Sequence, residues 1–519
     1  MRLFVFAIGG TGSKVLTQFV MMLAAGVRPL DATTGKPLEN FSVVPIIIDP
    51  HVENAGLQEA QKLLTSYRNI RKRIYGDEQT ARSGFFSVKV ETLKDVNKNQ
   101  NSNVEDKFYF RSDAISKSKF SDFISLKDMS TKNEEFSKLI FSEDELNTQM
   151  KEGFFGSPNI GCVALRDFVN SQDFKNICGN FNLNGGDRMF FIGSLFGGTG
   201  AAGLPLLISS IRFLGNSSSN TQVATEPAKS PIGALMMLPY FSIQKDEKSS
   251  IDMADWFIKS KSALSYYEKN LDKYINSIYY VADQLMSKPY DNDPGYNGQS
   301  ANKAHIAEFC GALSLFDFAG IDKDNLTYNE GKNEVEKSDC HYNCYSFKSS
   351  ADASITAFSF KFLPASTNVL VMKPLMKFFI LRNFMSQTLK KCSGKPFAKQ
   401  LDSNILNIPA KDYLEYFFGE FDNCFKEMEE QGNRKLHLFN AVQGEDYTNA
   451  FVDVGTPVRK IAFAGHKKAT ASDLEGLLNE ENNNYKDIGN QYNRWFTIAN
   501  NAMDRFLEAD FDLTNFING

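Results

Sequence analysis

The sequence predicts an α/β protein: a doubly wound, mostly parallel sheet over residues 1–320, followed by an α+β or mainly helical C-terminal domain over residues 321–519. Three observations carry this expectation. A buried strand, a glycine-rich turn and a helix follow one another at the start of the chain, and the same unit recurs near residue 190. Short apolar runs then alternate with helical patterns up to about residue 320, as βα units do. Beyond that point the alternation stops.

Leu3–Ile8 (LFVFAI) is a continuous apolar run that suits a strand buried on both faces. Glycines at 9, 10 and 12 follow, after which Leu16, Phe19, Val20 and Leu23 recur at helical spacing and mark a helix beginning near Ser13. Val43–Ile48 (VVPIII) is a second strand, and it delivers Asp49 to its carboxyl end. The stretch from about 90 to 150 is rich in Lys, Asn, Ser and Asp, with Phe108, Phe110, Phe120 and Phe123 spaced along it. It reads as an insertion with helical pieces, a solvated excursion without catalytic pattern.

Met189–Leu195 (MFFIGSL) restores the buried-strand pattern, and Leu204, Leu207, Ile208 and Ile211 form the next helical stripe. A polar linker over 216–230 leads to a strand at Ile232–Leu238, which stops at Pro239-Tyr240-Phe241. Tyr279–Val281 is a weaker strand candidate, and Ala304–Phe316 reads as a helix with Ile306, Phe309, Cys310 and Leu313 on one face. In the C-terminal part, Phe358, Phe360 and Phe362 at period two predict a half-exposed strand over Ile355–Phe362. Val369–Met372 and Lys460–Ala464 are further strand candidates, and Asp412–Glu430 and Gln491–Leu507 are expected helices.

Composition excludes several classes. With 42% hydrophobic and 23% charged residues over 519 positions, the chain should fold into two to four units. A formal net charge of -5 provides no basic field for nucleic acid. The first apolar run is too short for a signal peptide and is broken by glycines, and no run reaches the roughly 18 residues of a membrane span, so a cytoplasmic protein is expected. The seven cysteines lack the density of a disulfide scaffold. One cluster, Cys340-His341-x-x-Cys344, has no second pair at zinc-site spacing, and no metal site is expected there.

The two glycine turns are the informative feature. Glycine there permits positive φ and lets backbone N–H groups approach an anion, while the following helix directs the positive end of its dipole at it. The first turn, Ile8-Gly9-Gly10-Thr11-Gly12-Ser13-Lys14, departs from both common templates. Ser13 separates Gly12 from Lys14, unlike a P-loop, and Val15 stands where a dinucleotide fingerprint needs its third glycine.

Leu195–Gly203 (LFGGTGAAG) resembles the GGGTGSG signature of the tubulin/FtsZ family, and the start of the chain resembles that family's first phosphate loop. Gly156–Gly161 (GSPNIG) is similar to the GNPEVG segment of FtsZ that faces the terminal phosphate, and Pro239-Tyr240-Phe241 resembles its Lys-Pro-Phe. Asp49 stands where the family has its Asn-Thr-Asp loop. Gln299–His305 and Glu308–Phe318 are similar to the core helix of bacterial tubulin-like proteins. The likeness covers most of residues 1–320 apart from the insertion, and stops before the C-terminal domain.

The resemblance implies bound GTP or GDP with magnesium. Gly9, Gly10, Thr11, Gly12 and Ser13 would hold the inner phosphates, and Gly197, Gly198, Thr199 and Gly200 would wrap the chain from the other side. Asn159 and Gly161 would sense the γ-phosphate. Asp49 and Asn54 would lie near the magnesium or ribose, although Asp49 equally suits a turn-forming acid after a strand. Asn302 would read the guanine edge, although it equally suits a helix cap. Hydrolysis in the family needs acids on the loop after the core helix, which here offers Asp317 and Asp322 but has Gly320 where the second acid belongs. Phe196 occupies the first glycine of the signature.

Three functions follow as expectations. The first is a GTP-binding protein that self-associates head to tail, with nucleotide at the subunit interface and a filament as the product, its C-terminal domain open to protein partners. The second is a non-hydrolysing nucleotide-bound sensor or scaffold in a multiprotein system, for example phage defence. The third is a dinucleotide-dependent enzyme, favoured by the first turn alone.

Overall fold

The structure, a computed structural model, describes residues 1–51, 54–77, 83–97, 106–110, 112–116, 118–154, 156–214, 226–242, 253–283, 304–337, 342–344, 357–430, 435–455 and 468–517. Its centre is a parallel sheet of β1 (Arg2–Ile8), β2 (Ser42–Ile48), β3 (Lys89–Val90), β4 (Tyr109–Phe110), β5 (Arg188–Ser194), β6 (Ile232–Met237) and β7 (Ser277–Val281). A short antiparallel pair, β8 (Thr327–Asn329) and β9 (Glu334–Lys337), precedes β10 (Tyr342–Cys344), which joins the main sheet beside β7. The order across the main sheet is β10-β7-β6-β5-β1-β2-β3, with β4 also on β2.

Helices cover both faces, as the doubly wound expectation requires. Along β1, Leu3, Val5 and Ala7 enter one core while Phe4, Phe6 and Ile8 enter the other. β5 divides in the same way, with Phe190 and Ile192 on one side and Met189 and Phe191 on the other. This is why these strands are apolar at every position rather than at every second one. Phe6 stacks on Phe191 at 4.5 Å across the central pair.

One face carries α1 (Gly9–Ala25), α2 (Ala55–Tyr75) and α6 (Ile306–Gly320); the other carries α3 (Pro158–Ala164), α4 (Gly198–Arg212) and α5 (Met253–Asn270). The expected strands and helices of residues 1–320 are present, each within a few residues of its predicted ends. Two differences matter. The glycines after β1 and β5 do not form open loops but the first turns of α1 and α4. The 90–150 stretch is not wholly a surface excursion: β3 and β4 both pair with β2, Phe110 packs on Phe168 at 4.9 Å, and Phe120 is fully buried.

The C-terminal part is mainly helical, with α7 (Ala365–Gln387), α8 (Tyr413–Glu430), α9 (Ala471–Asn484) and α10 (Gln491–Asp510). Beyond β10 the described strand pair is β11 (Ala357–Phe358) with β12 (Lys435–Leu436). Val369–Met372, expected as a strand, lies inside α7, because its apolar run continues through Leu375, Met376, Phe379 and Ile380, all buried on the helix. Of the expected strand Ile355–Phe362, residues 355 and 356 lie outside the described residues, and the rest is not one strand. It leaves β11 for a 3₁₀ turn at Phe360–Phe362, where the Asn368 side-chain amide donates to the Phe360 carbonyl at 2.7 Å. Lys460–Ala464 lies outside the described residues.

α7, α8 and α10 share one continuous core with α1 and α2. Phe378 of α7 meets Phe86 edge-on at 5.8 Å and Phe421 of α8 at 4.9 Å. Gln18 of α1 reaches Cys424 of α8 (3.7 Å), and Arg73 of α2 pairs with Asp412 (2.6 Å).

Candidate functional site

β1 and β5 lie side by side, yet β1 leads through α1 to β2 on one side while β5 leads through α4 to β6 on the other. The chain therefore parts at their carboxyl ends, which is where open α/β sheets form their ligand crevice. Both glycine turns stand at that point. A β-carbon on Gly9 would lie 3.3 Å from the Thr199 β-carbon, so the two turns touch.

The glycines serve different needs. Gly9 adopts φ 72°, the left-handed region that glycine tolerates best. Gly198, expected to need positive φ, does not adopt it; a β-carbon there would stand 3.1 Å from the Phe154 β-carbon and from the Ser157 amide nitrogen. Its requirement is space. Gly12 and Gly200 let α1 and α4 settle onto the strands, since β-carbons at these positions would fall 2.7 Å from the Ala7 carbonyl carbon and 2.6 Å from the Ser194 nitrogen.

Several helix starts elsewhere are closed by side chains, although those of α3, α7 and the helix at Thr131–Ile140 are not. Capping boxes finish the helices at Leu93–Val96 and Glu143–Asn147, α6 and α9, and Asn54 caps α2 through bonds from Gly56 N (2.9 Å) and Leu57 N (3.4 Å). The first residues of α1 and α4 follow Ile8 and Gly197, neither of which caps by a side chain, and neither first turn holds an acid. Their leading N–H groups and positive dipole ends face the crevice. Gly10, Thr11, Gly197 and Thr199 are partly exposed along it, while Ser13 is buried and donates its hydroxyl to the Gly9 carbonyl at 3.3 Å.

Asp49 follows β2 directly, level with Gly9, and is buried. Burial raises its carboxyl to about pH 7, partly offset by the His51 amide, which donates to Oδ1 at 3.0 Å. Asn54 Nδ2 lies 3.7 Å from the position of a Gly10 β-carbon. Asn159 is exposed near the start of α3. Gly161 packs α3 against α4, its β-carbon position lying 2.7 Å from the Ala202 β-carbon and 3.2 Å from the Gly198 carbonyl oxygen. Asn302 lies outside the described residues, and the described part of the core helix begins with His305 as its cap.

Sequence reading missed three groups here. Glu308, fully buried, accepts from the Tyr240 hydroxyl (2.8 Å) and from the His305 backbone (2.9 Å). Burial pushes the Glu308 carboxyl up and His305 down to about 3, and the charge of Lys14 just after the first turn acts on both. The spacing His305-x-x-Glu308 is the sole sequence signal of this cluster, and its histidine is not a usual capping residue. Second, Phe196, the departure from the glycine signature, fills an aromatic box with Trp256 (4.4 Å), Phe241 (5.9 Å) and Tyr240 (6.1 Å). Third, Lys259 of α5 places Nζ 3.1 Å from the position of a Gly156 β-carbon.

The acids predicted to catalyse lie elsewhere. α6 runs on to Gly320, so Asp317 is in its last turn rather than on a loop, exposed and bound through Oδ2 to the Tyr279 hydroxyl at 2.7 Å. Asp322, also exposed, caps the following 3₁₀ turn through Asp324 N (2.9 Å). Arg188, at the start of β5, closes the end of α6 by donating to the carbonyls of Phe318 (2.7 Å) and Ile321 (2.6 Å). Both acids thus sit near the amino ends of the strands, about 20 Å along α6 from the glycine turns. Gly320 has a steric reason: a β-carbon there would be 2.1 Å from the Leu30 carbonyl oxygen. The Cys340/His341/Cys344 cluster lies outside the described side chains, and the described residues hold no group of three or more potential metal ligands. No helix among them is long and apolar enough to cross a membrane.

No family model matches the chain, and no curated protein matches it. Solved structures do. The type III plasmid segregation protein TubZ aligns with a TM-score of 0.23 and 13% identity, over 64% of this chain and 60% of that one. A GTPγS-form protofilament of Bacillus thuringiensis serovar israelensis TubZ aligns at 0.23 and 12%, over 63% and 57%. A helical model of the TubZ-Bt two-stranded filament aligns at 0.23 and 13%, over 64% and 58%. The chain thus spans less than two thirds of these relatives, and likeness at this level carries nothing about function.

Proposed function

We propose that the crevice between β1 and β5 binds the phosphate chain of a guanine nucleotide, and that the chain self-associates head to tail with that nucleotide at the subunit interface. The observation that carries the first half is the pair of glycine helix starts, uncapped by side chains and free of acids, meeting at one point of the sheet's carboxyl edge. Backbone donors and two dipole ends converging there suit an anion better than any neutral ligand. Gly9–Ser13 would hold one side of the phosphate chain and Gly197–Gly200 the other, with Asn159 and Gly161 toward the terminal phosphate.

Guanine, magnesium and self-association rest on the motif resemblance. The residues fit a divalent cation, because Asp49 is a carboxyl whose ionised form burial disfavours and an adjacent cation would restore. When bound, the metal would neutralise phosphate charge. Asn54 would support that end of the site, and Asn302 would read the base. Head-to-tail stacking explains why Asp317 and Asp322 lie at the opposite end of the domain: each copy would offer its acids to the nucleotide of the next. Residues 1–320 would then carry the nucleotide and 321–519 the surface for partners, in a cytoplasmic protein.

A second reading, a nucleotide-bound scaffold without turnover, is favoured by Gly320, where an acid has no room. A dinucleotide enzyme is disfavoured by the second glycine turn. Identifying the nucleotide that co-purifies with the full chain tests these readings: GTP or GDP supports the first two, and NAD(P) or FAD overturns both.

A further inference from the structure

The crevice accounts for backbone donors but not for a side-chain cation, and one stands at its edge. Successive contacts connect its parts. Asn54 adjoins Gly10, Gly9 touches Thr199, and Gly198 abuts the Gly156–Ser157 turn. Lys259 adjoins that turn, its Nζ 3.1 Å from the position of a Gly156 β-carbon. Its position is set by the helix that carries it. Trp256 anchors α5 in the aromatic box with Phe196, and the Tyr267 hydroxyl donates to the Ala201 carbonyl of α4 at 2.7 Å.

No carboxylate among the described residues pairs with Lys259. An ammonium held at the turn that Gly198 abuts is repelled by the positive start of α4, unless an anion lies between. The two glycine turns already supply donors for the phosphates they flank, so the lysine is left for one that extends past Gly198.

We infer that Lys259 is a specificity-determining residue that recognises the terminal phosphate and makes the crevice prefer a nucleoside triphosphate to a diphosphate. This rests on the reading of the crevice as a phosphate site. A charge-assisted contact of this kind is worth about ten- to a hundredfold in affinity. Lys259 is partly exposed and outside the core, so its replacement should leave the fold intact.

The test is calorimetry on the full chain freed of nucleotide, with GTPγS and GDP as probes, comparing wild type with Lys259→Met, Lys259→Arg and Gly198→Val. Lys259→Met should lose about ten- to a hundredfold for GTPγS and at most about twofold for GDP, and Lys259→Arg should keep most of the preference. Equal losses for both probes in Lys259→Met, or no loss while Gly198→Val loses both, overturn the role of Lys259 and leave the crevice standing. Undiminished binding in Gly198→Val overturns the reading of the crevice itself.

Discussion

Replacing Asp49 by asparagine should stabilise the ligand-free protein at neutral pH and leave it unchanged in acid. Burial raises the carboxyl from 3.8 to about 7, a shift of about three units. At about 1.4 kcal/mol per unit, ionised Asp49 costs the folded state about 4 kcal/mol. The sign follows from proton counts. Between pH 4 and 7 the folded chain keeps the proton that the unfolded chain has released, so stability falls as pH rises and the loss is complete above about 7. Asparagine has no proton to lose and keeps a side-chain oxygen for the His51 amide. Urea unfolding of both chains from pH 4 to 8 should therefore show no difference at the acid end and an advantage of about 4 kcal/mol for Asp49→Asn at pH 8. An offset that stays constant with pH, or a wild type that gains on the variant as pH rises, would refute the assignment of that cost to a buried carboxyl. With magnesium and nucleotide present the order should reverse, since the variant lacks the charge the cation needs.

Gly198→Val should abolish nucleotide binding while circular dichroism stays native, because its β-carbon forces the Phe154–Ser157 turn away from the second glycine turn; retained GTP affinity by calorimetry would contradict this. Asn302→Ala should weaken GTP more than ATP if that side chain reads guanine, and equal losses would leave it a cap. GTPase rate per molecule should rise with protein concentration and drop about 10²- to 10⁴-fold in Asp317→Ala or Asp322→Ala, because the acids stand a helix length from the crevice of their own copy. A dilution series read beside light scattering decides this: a rate per molecule constant through the assembly threshold excludes the shared site, and assembled material without hydrolysis favours the scaffold.

Strands buried on both faces were the most legible part of the sequence. β1, β2, β5 and β6 differ from their predicted ends by no more than one residue, since nothing but a central parallel strand keeps such short runs uniformly apolar. α8 and α10 were legible from one-sided stripes such as Leu414, Phe417, Phe418 and Phe421. α7 was not, because it is buried almost all round and a short piece of such a helix has no period to read. β3 and β4, of two residues each, are too short to show any. The glycine turns were readable because their chemistry is local. The acids were legible as residues but not as a place, for the distance along α6 depends on where that helix ends. Glu308 with Tyr240, and Lys259 with Gly156, join residues far apart in sequence and leave no local trace.

The core that α1 and α2 share with α7, α8 and α10 bears on how this chain can be dissected. A fragment ending near residue 320 would keep every glycine of the crevice, yet it would expose to water the flank of α1 and α2 that Phe378, Phe417 and Phe496 now cover. Such a fragment should aggregate or lose nucleotide for want of support behind α1. By the same route, strain placed on the C-terminal helices by a partner would be delivered to the back of the helix whose first turn opens at the crevice. The helical half therefore backs the helix that opens at the crevice, and a binder that wedges α8 off α1 should antagonise the proposed nucleotide without ever entering the crevice.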